Sequence, residues 1–327
     1  MPGYARRAQE EMLRPRAEPE RRSGWPARRI AGAIAVLAAT LVPWSWFVVR
    51  DLSPEMDLIA VGLPAGALAL AIVAFAIAVA SSRPYASGVA LSMLLFVIVA
   101  VVEPRTPERS GPPDRPFRLI AANVLQGNRA PREAVAAIVD ADPQLVVVVE
   151  APKAAFDGLV QRLPDHDHEG NGEIAVFSAW PLGSGTAVAD VSRSSAMRVE
   201  VLRRGAPFVV YAIHLSNPLH ETTFARQAEV VRRLIVAAER EELPVVLAGD
   251  FNLGDRSRAY RMLHDRYRDA MRSTWASSTY DQGPWIVLQL RIDHVFVGDD
   301  LCSSGAKVLP LPGSDHDALR VQLGACR

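Results

Sequence analysis

The hydrophobic pattern divides the chain into two parts of different character. The first part contains three apolar runs without charged residues, at positions 30–49, 58–80 and 85–102. A helix rises about 1.5 Å per residue, so each run is long enough to cross a hydrocarbon core of about 30 Å, the third only just. Because three uncharged runs of this length seldom follow one another in water-soluble domains, the pattern predicts three membrane-spanning helices.

The pattern changes at residue 117, where short β-rich runs alternate with turns and amphipathic stretches. The apolar runs predict eight strands, at positions 118–123, 145–150, 174–178, 196–202, 208–214, 245–249, 292–297 and 318–323. A helical period predicts four helices, at positions 132–141, 154–163, 220–241 and 257–263. Strands and helices that alternate in this way predict a layered α/β domain with a substantial core.

The placement of arginine predicts an orientation for the apolar runs. Residues 1–29 hold eight arginines against four glutamates, with Pro, Gly and Ser between them, which is typical of a disordered basic tail on the cytoplasmic side. Trp44 and Trp46 lie near the other end of the first run, where the indoles of a membrane interface belong. Three spans then place the rest of the chain outside the cytoplasm.

These patterns together predict a tail at 1–29, three transmembrane helices at 30–102, a Pro-rich linker at 103–116 and a folded domain at 117–327. We therefore expect a multi-pass cell-membrane protein with a cytoplasmic N-terminus, an extracytoplasmic domain and the bilayer as a partner. The linker is expected to hold the domain off the bilayer as a short, semi-rigid spacer. The sequence indicates no particular protein partner.

Composition excludes several classes of protein. With half of its residues apolar and only two cysteines, most of the chain is neither disordered nor a disulfide-rich scaffold. Cys302 and Cys326 are compatible either with one disulfide or with two small core residues. Residues 115–327 carry 24 basic against 26 acidic residues, so a phosphate-tracking surface is not indicated and nucleic acid is not expected as a partner.

Polar residues close several of the predicted strands. Taken singly, an Asp or Asn at a strand end is usually a turn residue or a helix cap, and a lone His is usually structural. The residues concerned are Asn123, Glu150, His214, Asp250, Asn252, Asp293, Asp315 and His316. Because active sites of α/β sheets assemble at the carboxyl ends of strands, the set as a whole indicates an active site.

The segments that carry these residues resemble the motifs of a known superfamily. AANVLQ, VVVE, YAIHLSN, GDFN, RIDHVFV and SDHDAL are similar, in order and spacing, to those of the endonuclease/exonuclease/phosphatase superfamily, over roughly residues 117–324. The resemblance implies a four-layer α/β sandwich of two packed mixed β-sheets flanked by helices, and a metal-dependent phosphoric ester hydrolase. The three apolar runs make the chain similar to bacterial membrane-anchored members, including the teicoplanin-resistance membrane proteins of actinomycetes.

The same resemblance implies a metal site for Mg²⁺ or Mn²⁺, since hard oxygen ligands suit these ions. Glu150 would be the principal ligand, Asn123 would support the metal or the phosphate, and Asp315 could approach the metal as a second carboxylate. Apurinic endonucleases have a further acid two positions after the first-motif Asn, where this chain has Leu125. We therefore expect coordination of one metal centred on Glu150.

The resemblance also implies catalytic roles for five residues. Asp250 would orient and deprotonate the attacking water, and Asn252 would hold a phosphoryl oxygen. His214 would donate to the scissile phosphate. His316, oriented by Asp293, would act either as the base or as a stabiliser of the transition state, and the sequence leaves open whether Asp250 or His316 takes the proton.

The function predicted from these features is that of a membrane-anchored phosphohydrolase working on the extracytoplasmic face. Its substrate is expected to be a lipid-linked phosphate, pyrophosphate or phosphodiester, because tethering raises the effective concentration of a catalyst toward lipids. The alternatives are an extracellular Mg-dependent nuclease and a catalytically inactive binding module on the same fold. The arginines at 256–272 indicate either a phosphate-facing patch or a solvated helix face, and His166 and His168 fit an exposed turn better than a metal loop.

Overall fold

The helices and strands are described from a computed structural model, which covers residues 27–80, 84–108, 110–188, 191–192, 195–280 and 290–327. The helices are α1 Ala27–Val49, α2 Met56–Ala80, α3 Pro84–Val97, α4 Pro131–Asp140, α5 Lys153–Arg162, α6 Phe224–Ala238 and α7 Arg258–His264. The strands are β1 Pro113–Asn123, β2 Leu145–Val149, β3 Asp167–Gly170, β4 Ile174–Ser178, β5 Thr186–Ala187, β6 Ala196–Val201, β7 Phe208–His214, β8 Val245–Asp250, β9 Arg268–Asp269, β10 Asp293–Val297, β11 Leu301–Leu309 and β12 Ala318–Cys326.

The strands form two six-stranded mixed sheets. The first sheet has the order β11-β12-β1-β2-β4-β3 and the second has the order β5-β6-β7-β8-β10-β9. The pairs β1–β2 and β7–β8 are parallel, whereas the other pairs within these sheets are antiparallel. Each sheet therefore contains one parallel pair at its centre, and the carboxyl ends of that pair lie side by side.

The two sheets pack face to face and each is covered by helices. In β1, Leu119 and Ala121 point into the core between the sheets, while Ile120 and Ala122 point to the outer face, as the two-residue period of a strand requires. Helices α4 and α5 cover the outer face of the first sheet, and α6 and α7 cover that of the second. The four-layer sandwich with flanking helices is thus confirmed, and the run 145–149 is buried along its whole length.

Some elements differ from the sequence-based prediction at their ends. The helix predicted from residue 220 begins at Phe224, because Thr223 is extended and its side chain accepts the N–H of Arg226 at 3.1 Å. β11 was not predicted, because this edge strand carries Ser, Gly and Lys instead of an apolar run. Capping and edge pairing depend on tertiary neighbours that a hydropathy pattern does not contain.

The N-terminal helices pack against one another through an apolar cluster. Its buried members are Trp46, Ala60, Phe96 and Ala100, which come from α1, α2, α3 and the π-helical turn Ile98–Val102. The indole N–H of Trp44 donates to the hydroxyl of Ser92 at 3.1 Å, which ties α1 to α3. Part of the apolar character that suggested membrane spans is therefore buried against protein.

The prediction of three membrane-spanning helices is corrected by the structure. Within the described residues, no helix combines the length and the apolar character needed to cross a bilayer. α3, for example, has 14 residues, which is about 21 Å at 1.5 Å per residue, before the backbone changes to a π-helix. The predicted multi-pass localisation, with a cytoplasmic N-terminus and an extracytoplasmic domain, is therefore wrong. The predicted basic tail lies outside the described residues up to position 26.

Arginines that follow β8 hold the N-terminal helices on the domain. The Nε of Arg256 donates to the carbonyl of Ala100 at 2.7 Å, and the backbone N–H of Arg258 donates to the carboxylate of Asp57 at 2.6 Å. Arg256 is 8% exposed and also pairs with Asp255. The guanidinium of Arg256 and the backbone N–H of Arg258 are thus engaged within the protein, which neither of the two interpretations of the arginine-rich stretch anticipated.

The segment predicted to be a spacer lies against the domain instead. The guanidinium of Arg272 pairs with Glu108 at 2.6 Å, and the N–H of Ala276 donates to the carbonyl of Arg105 at 3.0 Å. Residues 113–116 already belong to β1. These polar contacts keep the segment on the surface of the domain.

The two cysteines form a disulfide that joins the edge of the first sheet. Cys302 in β11 is bonded to Cys326 in β12, with their Cα atoms 4.8 Å apart. Of the two possibilities that the sequence left open, the structure shows the bridge.

Candidate active site

The candidate active site is built on the adjacent ends of the two parallel strand pairs. Asn123 ends β1 and Glu150 follows β2, while His214 ends β7 and Asp250 ends β8. The sheets pack with these ends together, so four polar side chains from four strands meet at one place.

Asn123 joins the two sheets at the base of the site. Its amide nitrogen donates to Glu150 Oε1 at 2.8 Å and to Asp250 Oδ2 at 3.0 Å. Its amide oxygen accepts the backbone N–H of Leu125 at 3.0 Å. Asn123 is 1% exposed, and with both ends of the amide engaged it orients the two carboxylates.

Two of the site residues have a strained backbone conformation. Glu150 has a φ of 50° and Asn252 a φ of 49°, both in the left-handed region that residues other than glycine rarely occupy. The glycine of GDFN has a structural cause: Gly249 has a φ of 135°, and a Cβ there would lie 2.1 Å from the carbonyl oxygen of Ile213. Only glycine lets β7 and β8 approach closely enough to align His214 and Asp250.

His214 lies between two carboxylates. Its Nε2 is 3.1 Å from Glu150 Oε1 and its Nδ1 is 3.0 Å from Glu173 Oε1. Burial opposes the charged ring, but the hydrogen bond to Glu150 and the charge of Asp250 outweigh it and raise the pKa of His214 to about 9. The two carboxylates therefore favour the charged ring, whose positive charge would attract a phosphoryl group.

Glu150 is held in the ionised form. The hydrogen bond from His214 is the main reason that the pKa of Glu150 is lowered to about 2, although burial works against this shift. The hydrogen bond from Asn123 lowers it further. A carboxylate that stays charged and keeps 26% of its side chain exposed is well suited to bind a cation.

Asp250 and Asn252 form one unit in the GDFN turn. The N–H of Asn252 donates to Asp250 Oδ1 at 2.8 Å, and its side-chain amide donates to the carbonyl of Leu215 at 2.7 Å. Asp250 is 1% exposed, and burial, followed by the charge of Asp293, raises its pKa above the ordinary value.

His316 and Asp293 form the Asp–His pair that the resemblance implied. His316 Nδ1 lies 2.9 Å from Asp293 Oδ2, and His316 Nε2 faces Asp250 Oδ2 at 3.8 Å. Burial opposes the imidazolium, but the charge and hydrogen bond of Asp293 raise the pKa of His316 to about 10. Ser314 places the loop, since its hydroxyl donates to the carbonyl of Asn123 at 2.8 Å and accepts the N–H of His316 at 3.0 Å.

The donors at the site fit a divalent cation. Two overlapping groups, Glu150–His214–Asp250 and Asp250–Asp293–His316, have ligand atoms within 4.8 Å of one another. Carboxylate oxygens are what Mg²⁺ and Mn²⁺ prefer, and Glu150 is the most accessible of these acids. Asp315, predicted as a second ligand, belongs to neither group, and among the described residues its buried Oδ1 lacks a hydrogen-bond partner.

Three residues at the site were missed from the sequence. Glu173, just before β4, binds His214. Thr279 accepts the N–H groups of Ile292 and Asp293 on its hydroxyl, both at 3.1 Å, and so positions the aspartate. The ring of Tyr280 lies 4.8 Å from that of His316. Thr279 and Tyr280 precede the RIDHVFV segment, and neither they nor Glu173 lie in any of the segments that carry the resemblance.

Other polar residues that attracted attention in the sequence are structural. His166 Nε2 bonds the carbonyl of Pro143 at 3.0 Å, and the ring of His168 stacks on Phe177. His294 is fully buried between the guanidinium of Arg291 and the carbonyl of Leu253. These contacts account for the three histidines without a metal.

The fold and the site define an α/β sandwich with an acid-rich centre at the ends of its parallel strands. A family model described as "Endonuclease/Exonuclease/phosphatase family" matches residues 120–316. The chain belongs to this family, whose members are generally metal-dependent phosphoric ester hydrolases. None of the curated protein sequences compared with the chain matches it.

Solved structures of similar fold confirm the architecture. An endonuclease/exonuclease/phosphatase from Bacteroides vulgatus has a TM-score of 0.54 at 18% identity, covering 65% of this chain and 100% of that one. A humanized D. rerio TDP2 has a TM-score of 0.53 at 14% identity, covering 65% and 100%. The human Nocturnin catalytic domain with bound sulfate has a TM-score of 0.50 at 16% identity, covering 64% and 93%. At these identities the likeness concerns the fold alone.

Proposed function

We propose that this chain hydrolyses phosphoric esters with the help of Mg²⁺ or Mn²⁺, and that its substrate is a lipid-linked phosphate, pyrophosphate or phosphodiester. The observation that carries the proposal is the composition of the site. Three acids, Glu150, Asp250 and Asp293, face two histidines at the meeting point of two sheets. With all three acids ionised and both histidines charged, the group still has a net negative charge, which favours binding of a cation.

Glu150 would hold the cation, with Asn123 fixing the orientation of its carboxylate. When bound, the cation supplies a positive charge that opposes the charge developing on the phosphoryl oxygens. The positive charge of His214, whose two ring nitrogens lie on Glu150 and Glu173, would attract a non-bridging oxygen. Asn252 is placed beside Asp250 by the GDFN turn. These groups are fixed before the substrate arrives, which is the condition for electrostatic stabilisation of a transition state.

Proton transfer is assigned to the pair Asp250 and His316. Water attacks phosphorus, its oxygen forms the new P–O bond, and the ester P–O bond breaks with the electron pair leaving on the alcohol oxygen. The proton of the water passes to the Asp250–His316 pair, whose facing atoms are 3.8 Å apart. Asp293 keeps the imidazole of His316 in place through the 2.9 Å hydrogen bond.

The apolar surface of the N-terminal helices supports the choice of a lipid-linked substrate. These helices expose large apolar side chains while they are held on the domain by Arg256 and Arg258: Leu37, Leu41, Val42, Leu58, Ile59, Ile72, Leu91 and Leu94. Apolar surface of this extent suits the chains of a lipid better than a fully water-soluble substrate.

A nuclease activity is less well supported. The arginines after β8 that would track a nucleic-acid backbone are engaged in the protein, as Arg256 with Asp255 and Arg272 with Glu108 show. The balance of 24 basic to 26 acidic residues in 115–327 points the same way. We therefore expect weak activity, or none, toward duplex DNA.

The experiment incubates the purified protein with a polyprenyl pyrophosphate, a phospholipid, sphingomyelin and duplex DNA, each with Mg²⁺, Mn²⁺ or EDTA. We expect phosphate or headgroup release from a lipid substrate, loss with EDTA, and recovery when either ion is added back. Glu150→Gln should lose most of the activity because a neutral amide of the same shape removes the anionic ligand. Binding of Mn²⁺, measured directly by calorimetry, should weaken in the same variant.

Glu242→Gln is the matched control, because this glutamate is exposed and lies on a surface turn before β8. It should keep both activity and Mn²⁺ binding. Full activity of Glu150→Gln, or activity that persists in EDTA, would contradict the proposed metal role. Cleavage of DNA in preference to every lipid would favour the nuclease instead.

A further inference from the structure

A cavity of about 250 Å³ lies between α2 and the segments that follow β7 and β8. Its volume is that of about eight water molecules at roughly 30 Å³ each. Apolar side chains from both parts of the chain line it: Ala60, Val61, Leu219, Phe224, Leu253 and Ile292. Neither the N-terminal helices nor the catalytic domain would form this cavity alone.

The cavity adjoins the candidate active site. Asn252 lines it, and the same residue donates its N–H to Asp250. Tyr280 also lines it, with its ring centroid 4.8 Å from that of His316. Two lining residues thus contact the acid–base pair, so a group held in the cavity lies next to a phosphate held by the site.

One residue that lines the cavity has a polar atom with an incomplete set of partners. Asp57, at the start of α2, is 1% exposed and accepts the N–H of Arg258. Its Oδ2 is buried, and in the described part of the chain it has no hydrogen-bond partner. A buried carboxylate oxygen without a donor is costly, so a ligand that brings a donor would gain from meeting it. Burial also raises the pKa of Asp57 to about 6, in keeping with its missing partner.

We propose that this cavity binds the organic group of the phosphoester, and that the preferred group is an alkyl chain bearing a hydrogen-bond donor such as a hydroxyl. The inference rests on the proposed hydrolase function for the position of the phosphate. The apolar wall selects the chain, and Asp57 selects the donor. The N-terminal helices are then specificity elements, because α2 supplies Ala60, Val61 and Asp57.

Calorimetry with the full-length protein and Mg²⁺ tests the apolar part of the proposal without turnover. Octyl phosphate should bind at least 10-fold tighter than methyl phosphate, since each buried methylene contributes about a factor of four. Val61→Trp fills the cavity from a half-buried position and should reduce that preference at least 10-fold. Leu58→Trp, one turn earlier and 58% exposed, is the matched control and should keep the preference.

Equal binding of the two phosphates by the unaltered protein would overturn the proposal, as would an unchanged preference in Val61→Trp. Circular dichroism shows whether each variant is folded. If Val61→Trp does not fold, Val61→Ala serves in its place. With the larger cavity, the alkyl phosphate that binds most tightly should have a longer chain than the one the unaltered protein binds most tightly. The same chain length in both proteins would count against the proposal.

Release of nitrophenolate from octyl 4-nitrophenyl phosphate separates this inference from the proposed function. Tight octyl phosphate binding without any hydrolysis would refute the hydrolase function and leave the cavity assignment standing. Hydrolysis at the same rate for methyl and octyl esters, with equal binding of both phosphates, would refute the cavity assignment and leave the hydrolase function standing.

A set of hydroxyoctyl phosphates, with the hydroxyl at successive carbons, tests the role of Asp57. At least one member should bind several-fold tighter than octyl phosphate. Asp57→Leu should abolish this advantage, because it removes the carboxylate acceptor and leaves no polar group that could bond the hydroxyl. An advantage that survives in Asp57→Leu, or a hydroxyl without effect at every carbon, would overturn the donor preference.

Discussion

Two clusters of buried charged residues lie near β8 and β10. Each contains buried aspartates, but the pKa of an aspartate is raised in one cluster and lowered in the other. The site cluster consists of Glu150, His214, Asp250, Asp293 and His316. In it the acids are opposed by histidines, and burial together with Asp293 raises the pKa of Asp250. The site cluster thus contains more acidic groups than basic ones.

The arginine cluster consists of Asp255, Arg256, Asp269, Arg291 and their aromatic neighbours Tyr260 and His294. Arg291 has a side-chain exposure of 1% and pairs with Asp269 at 2.5 Å, while its other nitrogen donates to the hydroxyl of Tyr260 at 2.9 Å. Burial opposes the ionised form, but the charge of Arg291 outweighs it and holds the pKa of Asp269 far below its ordinary value.

The contrast shows what separates a structural acid from a functional one in this fold. A buried aspartate matched by a permanently charged, multiply bonded arginine is satisfied within the protein. The negative charge of a buried aspartate that faces a histidine and a second acid is not fully compensated within the protein. A cation, or a proton taken from water, can compensate it. The residues Asp250 and Asp269 are indistinguishable by type, and their partners decide their roles.

The largest expected effect comes from the site cluster. Asp250→Asn and His316→Ala should each lower kcat by a factor on the order of 10²–10⁴, the usual contribution of a positioned acid–base group. Turnover of the most active lipid phosphoester provides the measurement. Asp165→Asn and His168→Ala, both exposed, are the matched controls and should retain kcat. Unaltered turnover in both site variants would show that the site cluster is not catalytic.

Breaking the arginine cluster should instead affect stability. Arg291→Met leaves Asp269 buried without its main counter-charge, and we expect it to lower the free energy of unfolding by about 3–5 kcal/mol. Asp250→Asn removes an acid that lacks such a counter-charge, so its free energy of unfolding should change by less than about 1 kcal/mol. Urea denaturation followed by circular dichroism compares the two. Equal destabilisation would mean that both clusters are structural.

A smaller effect is expected for the aspartate that only orients the base. Asp293→Asn keeps the shape of the side chain but weakens its support of the charged imidazole, and kcat should fall by about 10-fold to 10²-fold. Adding this change to His316→Ala should lower kcat little further, because residues that act as a unit are not additive. Kinetics of the two single variants and the double variant decide this. Effects that multiply would show that Asp293 and His316 act independently.

The positions of the site residues could be predicted because they depend on local pattern. Asn123, Glu150, His214 and Asp250 each end an apolar run, and the carboxyl ends of parallel neighbours necessarily meet. The fully buried β2 could be predicted for the same reason. A strand covered on both faces consists of consecutive apolar residues and does not alternate between apolar and polar ones.

What could not be predicted depends on partners that are distant in the sequence. Burial of α1–α3 residues such as Trp46 and Phe96 against protein produces the same apolar runs as burial in lipid, and hydropathy does not distinguish the two. Arg256 meets the carbonyl of Ala100 across 156 positions of the chain, and Glu173 reaches His214 across 41. No periodicity encodes contacts of this kind.

Asp57 is an intermediate case between the two clusters, and it leads to the smallest predicted effect. Burial raises its pKa in the folded protein from 3.8 to about 6, against the opposing hydrogen bond from Arg258. The folded state then binds the proton more tightly than the unfolded state does, so this contribution to stability is fully present below pH 3.8 and is lost as pH rises to about 6.

Urea denaturation at several pH values between 4 and 7 measures this contribution. The free energy of unfolding should fall by roughly 1 kcal/mol more in the unaltered protein than in Asp57→Asn, which has no charge to bury. Asp165→Asn is the control, because Asp165 is exposed and lies in a turn on the side of the first sheet, and it should keep the pH dependence of the unaltered protein. Parallel pH profiles for the unaltered protein and Asp57→Asn would show that Asp57 is not buried against the domain as described. The arginine contacts that hold α2 beside the active site would then need to be reconsidered.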